Sequence, residues 1–146
     1  MSNNELATYE NDNQIAAQAA VESPLICTVD ANDNAGKTTI YNAVNNAEPL
    51  NSHMNEDLMI CDCITERGIR RGRNGMPDQP CVNTYLIDVD GVAYFSQSDG
   101  VARSVYTLVT LWDDFGKSTD AGYLMLRCIE KPLQNGNTVK NLVKVN

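Results

Sequence analysis

The chain has one histidine among its 146 residues and no pair of cysteines spaced CxxC. One histidine leaves few choices of general base, and no Ser/His/Asp or Cys/His arrangement is evident. Five cysteines, an odd number, argue against a disulfide framework. Cys27, Cys61, Cys63, Cys81, Cys128 and His53 are residue types that bind zinc, but their spacing is wrong for knuckles. Cys61 and Cys63 alternate along a candidate strand and read as small core residues. His53, beside Asn51 and Ser52, reads as a surface-loop residue. No run of 18 apolar residues occurs, so no membrane span is expected. The opening Met1-Ser2-Asn3-Asn4-Glu5 lacks a basic region followed by an apolar core, so no signal peptide is expected. The expectation is therefore a cytoplasmic protein with no cofactor, no metal and no catalytic residues.

Basic residues are also scarce, 11 against 19 acidic, for a net charge of −8. The deficit is uneven. Residues 1–62 hold ten acids and one lysine (−9), while residues 63–146 hold nine acids and ten bases (+1). The first part would repel DNA and the second would not. Exposed charges farther apart than about 8 Å are screened at physiological salt, so a local arginine cluster still binds phosphate.

Residues 1–22, rich in Asn, Glu, Gln and Ala, read as a disordered acidic tail with a frayed helix at Gln14–Val21. Residues 23–146 suffice for one domain with its own core. A short strand is expected at Pro24–Val29 and a helix at Thr38–Ala47, with Pro49 beyond its end. Then come strand one (Leu58–Glu66), strand two (Val82–Val89) and strand three (Val92–Ser98). In strand one, Met59, Cys61 and Cys63 should share a face, opposite Ile60, Asp62 and Ile64. Asp90-Gly91 predicts a two-residue type I′ hairpin turn. That register puts Tyr85, Ile87, Val89, Val92 and Tyr94 on one face, with Leu86, Ala93 and Phe95 on the other. A helix opens at Ser98 or Asp99, with Val101, Val105, Leu108 and Trp112 as its apolar stripe and Gly116 at its end. Strands four (Tyr123–Glu130) and five (Thr138–Val145) turn at Asn135-Gly136. Lys131 and Pro132 make that end of strand four an edge.

Five strands with a helix between the third and fourth fit a mainly β protein, a five-stranded OB-like Greek-key barrel with an extra N-terminal helix. Such barrels bind oligonucleotides or oligosaccharides through the loops joining strands one to two and four to five. Here the first loop is Gly68-Ile69-Arg70-Arg71-Gly72-Arg73-Asn74-Gly75. Arginine offers planar donors to phosphate and stacks on bases, and glycine lets the backbone approach closely. Arg70, Arg71 and Arg73 are expected to grip phosphates, Arg67 to extend the track, and Lys131 to close the far side. Single-strand binders add aromatic platforms. Tyr85, Tyr94 and Phe95 are the candidates, although core packing is the commoner role of each, as it is of Tyr106 and Tyr123. Which hairpin face is exposed stays open.

A competing pattern is Ala31-Asn32-Asp33-Asn34-Ala35-Gly36-Lys37-Thr38, close to the P-loop GxxxxGK[ST] with alanine for the first glycine. Tyr85-Leu86-Ile87-Asp88 even resembles a strand ending in a metal-binding aspartate. Against a small P-loop NTPase stand Asp30 and Asp33 where phosphate should sit, and hairpins instead of βαβ units. The plainer reading makes Gly36-Lys37-Thr38 a helix start.

At Gly72–Asp78, Asn83–Asp88 and Tyr94–Ser104 the sequence resembles the small single-stranded-DNA-binding proteins encoded by tailed bacteriophages and prophages. The resemblance spans roughly Gly36 to Val145. It implies a non-catalytic OB-like protein that coats single-stranded DNA in phage DNA replication or recombination, in the host cytoplasm. It adds Arg103, within the third motif, to the candidate DNA-binding residues. Replication proteins and further copies of the chain remain open as partners. The end, Leu142-Val143-Lys144-Val145-Asn146, departs from the acidic, apolar-tipped tail usual in bacterial single-strand binders. An alternative on the same barrel is a phage accessory protein that binds a host protein and no DNA.

Overall fold

The computed structural model describes residues 25–146. The expected tail and the helix at Gln14–Val21 lie outside them, as does Pro24. Helix α1 (Asn34–Asn46) starts earlier than the expected Thr38, because the Asp33 carboxylate accepts the Gly36 N–H at 2.8 Å and caps it. Strand β1 (Glu48–Pro49) and a 3-10 turn (Leu50–His53) follow. Then come β2 (Asp57–Arg70), β3 (Gln79–Asp88), β4 (Ala93–Ser96), α2 (Asp99–Leu111), β5 (Leu124–Pro132) and β6 (Thr138–Lys144). Of the expected strand at Pro24–Val29 only a bridge between Cys27 and Ile64 forms.

The protein is mainly β, with two α-helices and a curled mixed sheet in the order β1-β4-β3-β2-β5-β6. It has six strands where five were expected. The extra one is β1, parallel to β4. Strands β2, β3 and β4 form a meander, and β5 returns beside β2, which is Greek-key order. Among the described residues no ladder joins β4 to β6. Helix α2 packs against β6 and β3. Its Ser104 Oγ accepts the Leu142 N–H of β6 at 3.1 Å. Gly100 lies so close to β6 that a Cβ there would stand 1.9 Å from the Lys140 carbonyl oxygen. The β6 edge is thereby covered, which removes a site of open-edge pairing.

Two irregularities change the expected faces. Between Ile60 and Asp62 the β2–β3 register slips by one residue at a bulge. Leu58 and Ile60 therefore share a core with Cys63, and not with Asp62 or Ile64. At the hairpin, Asp88 and Val92 close a loop of three residues, Val89, Asp90 and Gly91, not two. Asp88 donates its N–H to Val92, and its carboxylate accepts the N–H groups of Asp90 and Val92, both at 2.9 Å. Gly91 takes the left-handed conformation, φ 85°, that this loop needs. The longer loop shifts the pairing by one residue and reverses the assignment of faces. Tyr85 pairs with Phe95, and Leu86 pairs with Tyr94.

The sheet is buried on both faces at its centre. One face packs Leu58, Ile60, Cys63, Leu86, Tyr94, Leu124 and Leu126 against Val101, Val105 and Leu108 of α2. That is the stripe read from the sequence, opened by the Ser98 cap. The other face packs Ile64, Tyr85, Ile87 and Ala93 against Ala43 of α1, with Ile40 and Val44 beside it. All five cysteines are free thiols. Among the described residues no helix is long and apolar enough to cross a membrane.

Candidate nucleic-acid interface

Strand β2 runs further than the expected Glu66 and carries Arg67 and Arg70 within it. Beyond Arg70↔Gln79 the hairpin continues as an arm. Met76 N–H bonds to the Arg73 carbonyl, and Asn74 (φ 55°) and Gly75 (φ 80°) form the tip. Both central residues have positive φ, as a type I′ turn requires. Gly72 N–H donates to the Asp78 carboxylate at 2.8 Å, which fastens the base of the arm. The whole arm, residues 71–78, is exposed.

An open groove of about 950 Å³ runs along the base of this arm. One wall is the arm itself, with Arg71, Arg73 and Met76. The other is the β5–β6 hairpin, with Glu130, Val139 and Lys140. The floor includes Phe95, Gln97 and the start of α2. The two loops singled out from the sequence therefore flank one groove. It is lined by four cations (Arg70, Arg71, Arg73, Lys140) and two anions (Asp99, Glu130), in a protein that is acidic as a whole.

The cations are not equivalent. Arg70 is committed: its Nη2 donates to the Gln97 carbonyl at 2.6 Å and to the Asp99 carboxylate at 3.1 Å. Through that one nitrogen it anchors the end of β2 to the first turn of α2, while it still lines the groove. Arg71 and Arg73 form no side-chain hydrogen bond or ion pair among the described residues, and they project from the arm. Lys140 donates to Asn51 Oδ1 at 2.6 Å and lines the groove where Lys131 was expected. Lys131 is exposed on the same hairpin, outside the lining. Arg67 is exposed on β2, and its charge acts on the Tyr106 phenol. Arg103 is exposed on α2, one turn before Tyr106 and outside the groove.

The aromatics separate as clearly. Tyr85 is 5% exposed, and its hydroxyl donates to Glu66 Oε1 at 2.7 Å. Tyr94 is 7% exposed; its hydroxyl donates to Asp88 Oδ2 at 3.0 Å, and its ring meets His53 edge-on. Burial, then the hydrogen bond to a carboxylate, raises both phenol pKa values, that of Tyr94 to about 12. Neither ring is free to stack, and they lie on opposite faces, contrary to the expected shared platform. Phe95, half-buried against the Tyr85 ring at 5.3 Å, is the aromatic that reaches the groove.

Around Phe95 the floor is polar and cross-linked. Asn83 donates to Glu66 at 3.2 Å and accepts from Gln97 at 3.0 Å, while Gln97 also donates to the Ile69 carbonyl at 3.2 Å. Gly68 leaves the space that the Asn83 side chain fills, since a Cβ there would stand 2.5 Å from it. Lys140, Asn51 and Gln97 carry no local sequence signal. They reach the groove only through long-range pairing of β6, β1 and β4.

The P-loop-like segment is arranged differently from a phosphate cradle. The Gly36 N–H is taken by the Asp33 carboxylate, and the Asn32 N–H by that of Asp30 at 2.9 Å. A Cβ on Gly36 would stand 1.6 Å from the Asp30 carbonyl oxygen, so the glycine serves a close backbone crossing. Carboxylates hold the donors that a phosphate would need. Among the described residues no group of three or more His, Cys, Asp or Glu is placed to hold a metal ion. Comparison with protein-family models, with curated proteins and with solved structures finds no match in any of the three.

Proposed function

We propose that this protein binds single-stranded DNA in the groove between the β2–β3 arm and the β5–β6 hairpin, without sequence preference and without catalysis. One observation carries the reading: two uncommitted arginines on a fixed arm face a groove that holds Phe95 in its floor and whose cations outnumber its anions. Arg71 and Arg73 contact phosphates from one wall and Lys140 from the other, while Phe95 offers a face to a base. The Greek-key order, and loops that correspond to the binding loops of OB-type barrels, support the same reading. On this reading the sheet is an OB-like half-barrel with α2 lodged where the last pair of strands would close. The biological setting is the one the sequence resemblance implies, the coating of single strands during phage DNA replication or recombination.

The test is fluorescence anisotropy of labelled oligo-dT, against duplex DNA of equal length, over a range of salt. Three phosphate contacts at about −0.7 each give a log–log slope near −2 for the single strand. Equal affinity for the duplex, or no binding at low salt, would refute the proposal.

A further inference from the structure

We infer that Met76 contacts a nucleobase in the groove, covering from the arm the face of a base that Phe95 leaves bare. The inference rests on the single-strand reading above and assigns a base-contacting residue within that site. Three observations carry it. The first is an exposed apolar side chain at a fixed place. Met76 is 64% exposed and stands beside the two arginines of the arm. Its backbone is held. Its N–H bonds to the Arg73 carbonyl at 3.0 Å, and Pro77 keeps the residue before it extended. At Gly72 the arm is so narrow that a Cβ would stand 1.8 Å from the Met76 carbonyl oxygen.

The second is register. Arg70 pairs with Gln79, and that register continued through the arm sets Arg73 opposite Met76, with Asn74 and Gly75 as the turn between them. Side chains opposite each other on an antiparallel pair leave the same face, with Cβ atoms about 4.5–5.5 Å apart. A phosphate held by Arg73 therefore brings a neighbouring base within reach of Met76. The third is the lining. Two large apolar side chains near the arm are exposed, Ile69 (59%) and Met76, and only Met76 lines the groove. Phe95 is the one aromatic in that lining, so it offers a stacked base a single face. The thioether of methionine is unbranched and polarizable, packs well against aromatic rings and adapts to their size. Met76 thus meets purine or pyrimidine alike, as binding without sequence preference requires.

The test compares two probes on the full chain: oligo-dT, and a strand of equal length in which tetrahydrofuran spacers replace the nucleosides. The second carries the phosphates without the bases. Met76→Gln keeps the length of the side chain and makes it polar, while Met76→Leu keeps it apolar. Ile69→Gln is the control, an equally exposed position outside the groove. Met76→Gln should weaken oligo-dT binding roughly two- to tenfold, the range of a sulfur–aromatic contact. It should leave the salt slope and the affinity for the abasic strand unchanged. Met76→Leu should retain most of the oligo-dT affinity, and Ile69→Gln all of it. Met76→Gln that binds oligo-dT as the wild type does, or that weakens both probes equally, overturns the inference and leaves the single-strand reading standing. Wild-type protein that binds both probes equally also overturns it, since phosphates alone would then account for the affinity. Wild-type protein that binds neither probe at low salt refutes the proposed function, and the inference falls with it.

Discussion

Gly100→Ala is a substitution whose sign separates two accounts of α2. In a helix, alanine is better than glycine by up to about 1 kcal/mol, so an open site would be stabilised. Here a Cβ would stand 1.9 Å from the Lys140 carbonyl oxygen, a backbone atom that cannot rotate away. Reaching even a tight 3.0 Å contact requires α2 and β6 to separate by 1.1 Å, which is 3.0 minus 1.9. The Ser104–Leu142 hydrogen bond, now 3.1 Å, would be strained by that movement. Overpacking of this kind costs about 1–3 kcal/mol, which exceeds the helical gain. At about 2–4 °C per kcal/mol, a net cost of about 1–2 kcal/mol should lower Tm by roughly 2–8 °C. Circular dichroism melts with a reversibility check measure this directly. An unchanged or raised Tm would show that α2 does not press on β6 this closely.

Arg71→Ala with Arg73→Ala should flatten the oligo-dT salt slope by about 1.4 and leave Tm unchanged. Arg70→Ala should instead lower stability by about 1 kcal/mol, because its half-exposed pair with Asp99 and its bond to Gln97 hold β2 to α2; the two effects are read by anisotropy and by melting. Stability should fall as pH rises from about 10 through 12. The Tyr94 phenol, raised to about 12, keeps its proton in the folded chain after the unfolded chain has lost it near 10. Urea midpoints across that range should fall less steeply in Tyr94→Phe. Gly91→Ala should cost about 1 kcal/mol for its positive φ, and Gly91→Asn less, as measured by urea denaturation. Isothermal titration with Mg-ATP should give no saturable heat. Saturable binding that disappears in Lys37→Ala would bring back the P-loop reading.

The elements legible in the sequence are those set by neighbouring residues. Ser98 caps α2, and Val101, Val105 and Leu108 repeat at the helical period, so helix and buried face could both be read. The turn at Asp90-Gly91 was visible, but its length was not. The Asp88 carboxylate binds two N–H groups of the loop and draws a third residue into it. That single residue moved Tyr94 away from Tyr85 and undid the expected stacking pair. The β2 bulge has no glycine or proline to mark it. It lies where the β5 ladder ends and the β3 ladder begins, at Ile60, which only the assembled sheet reveals. In the site, Arg71 and Arg73 were readable because clustered arginines among glycines are a local pattern. The commitment of Arg70 to Asp99, 29 residues away, depends on how the sheet curls.

The two walls of the groove belong to hairpins that share no backbone hydrogen bond across it among the described residues. A closed barrel behaves like a laced seam: its circumference is fixed by strand number and stagger, and widening it means breaking a ladder. Here the spacing is set by a helix held between the jaws by the Ser104 hydroxyl, a close backbone contact, the Arg70 bonds to Gln97 and Asp99, and the packing of Val101, Val105 and Leu108. The assembly works as a pair of calipers with α2 as the spacer. A tilt of that helix would alter the opening without breaking a β-ladder, at the packing cost worked out above for Gly100.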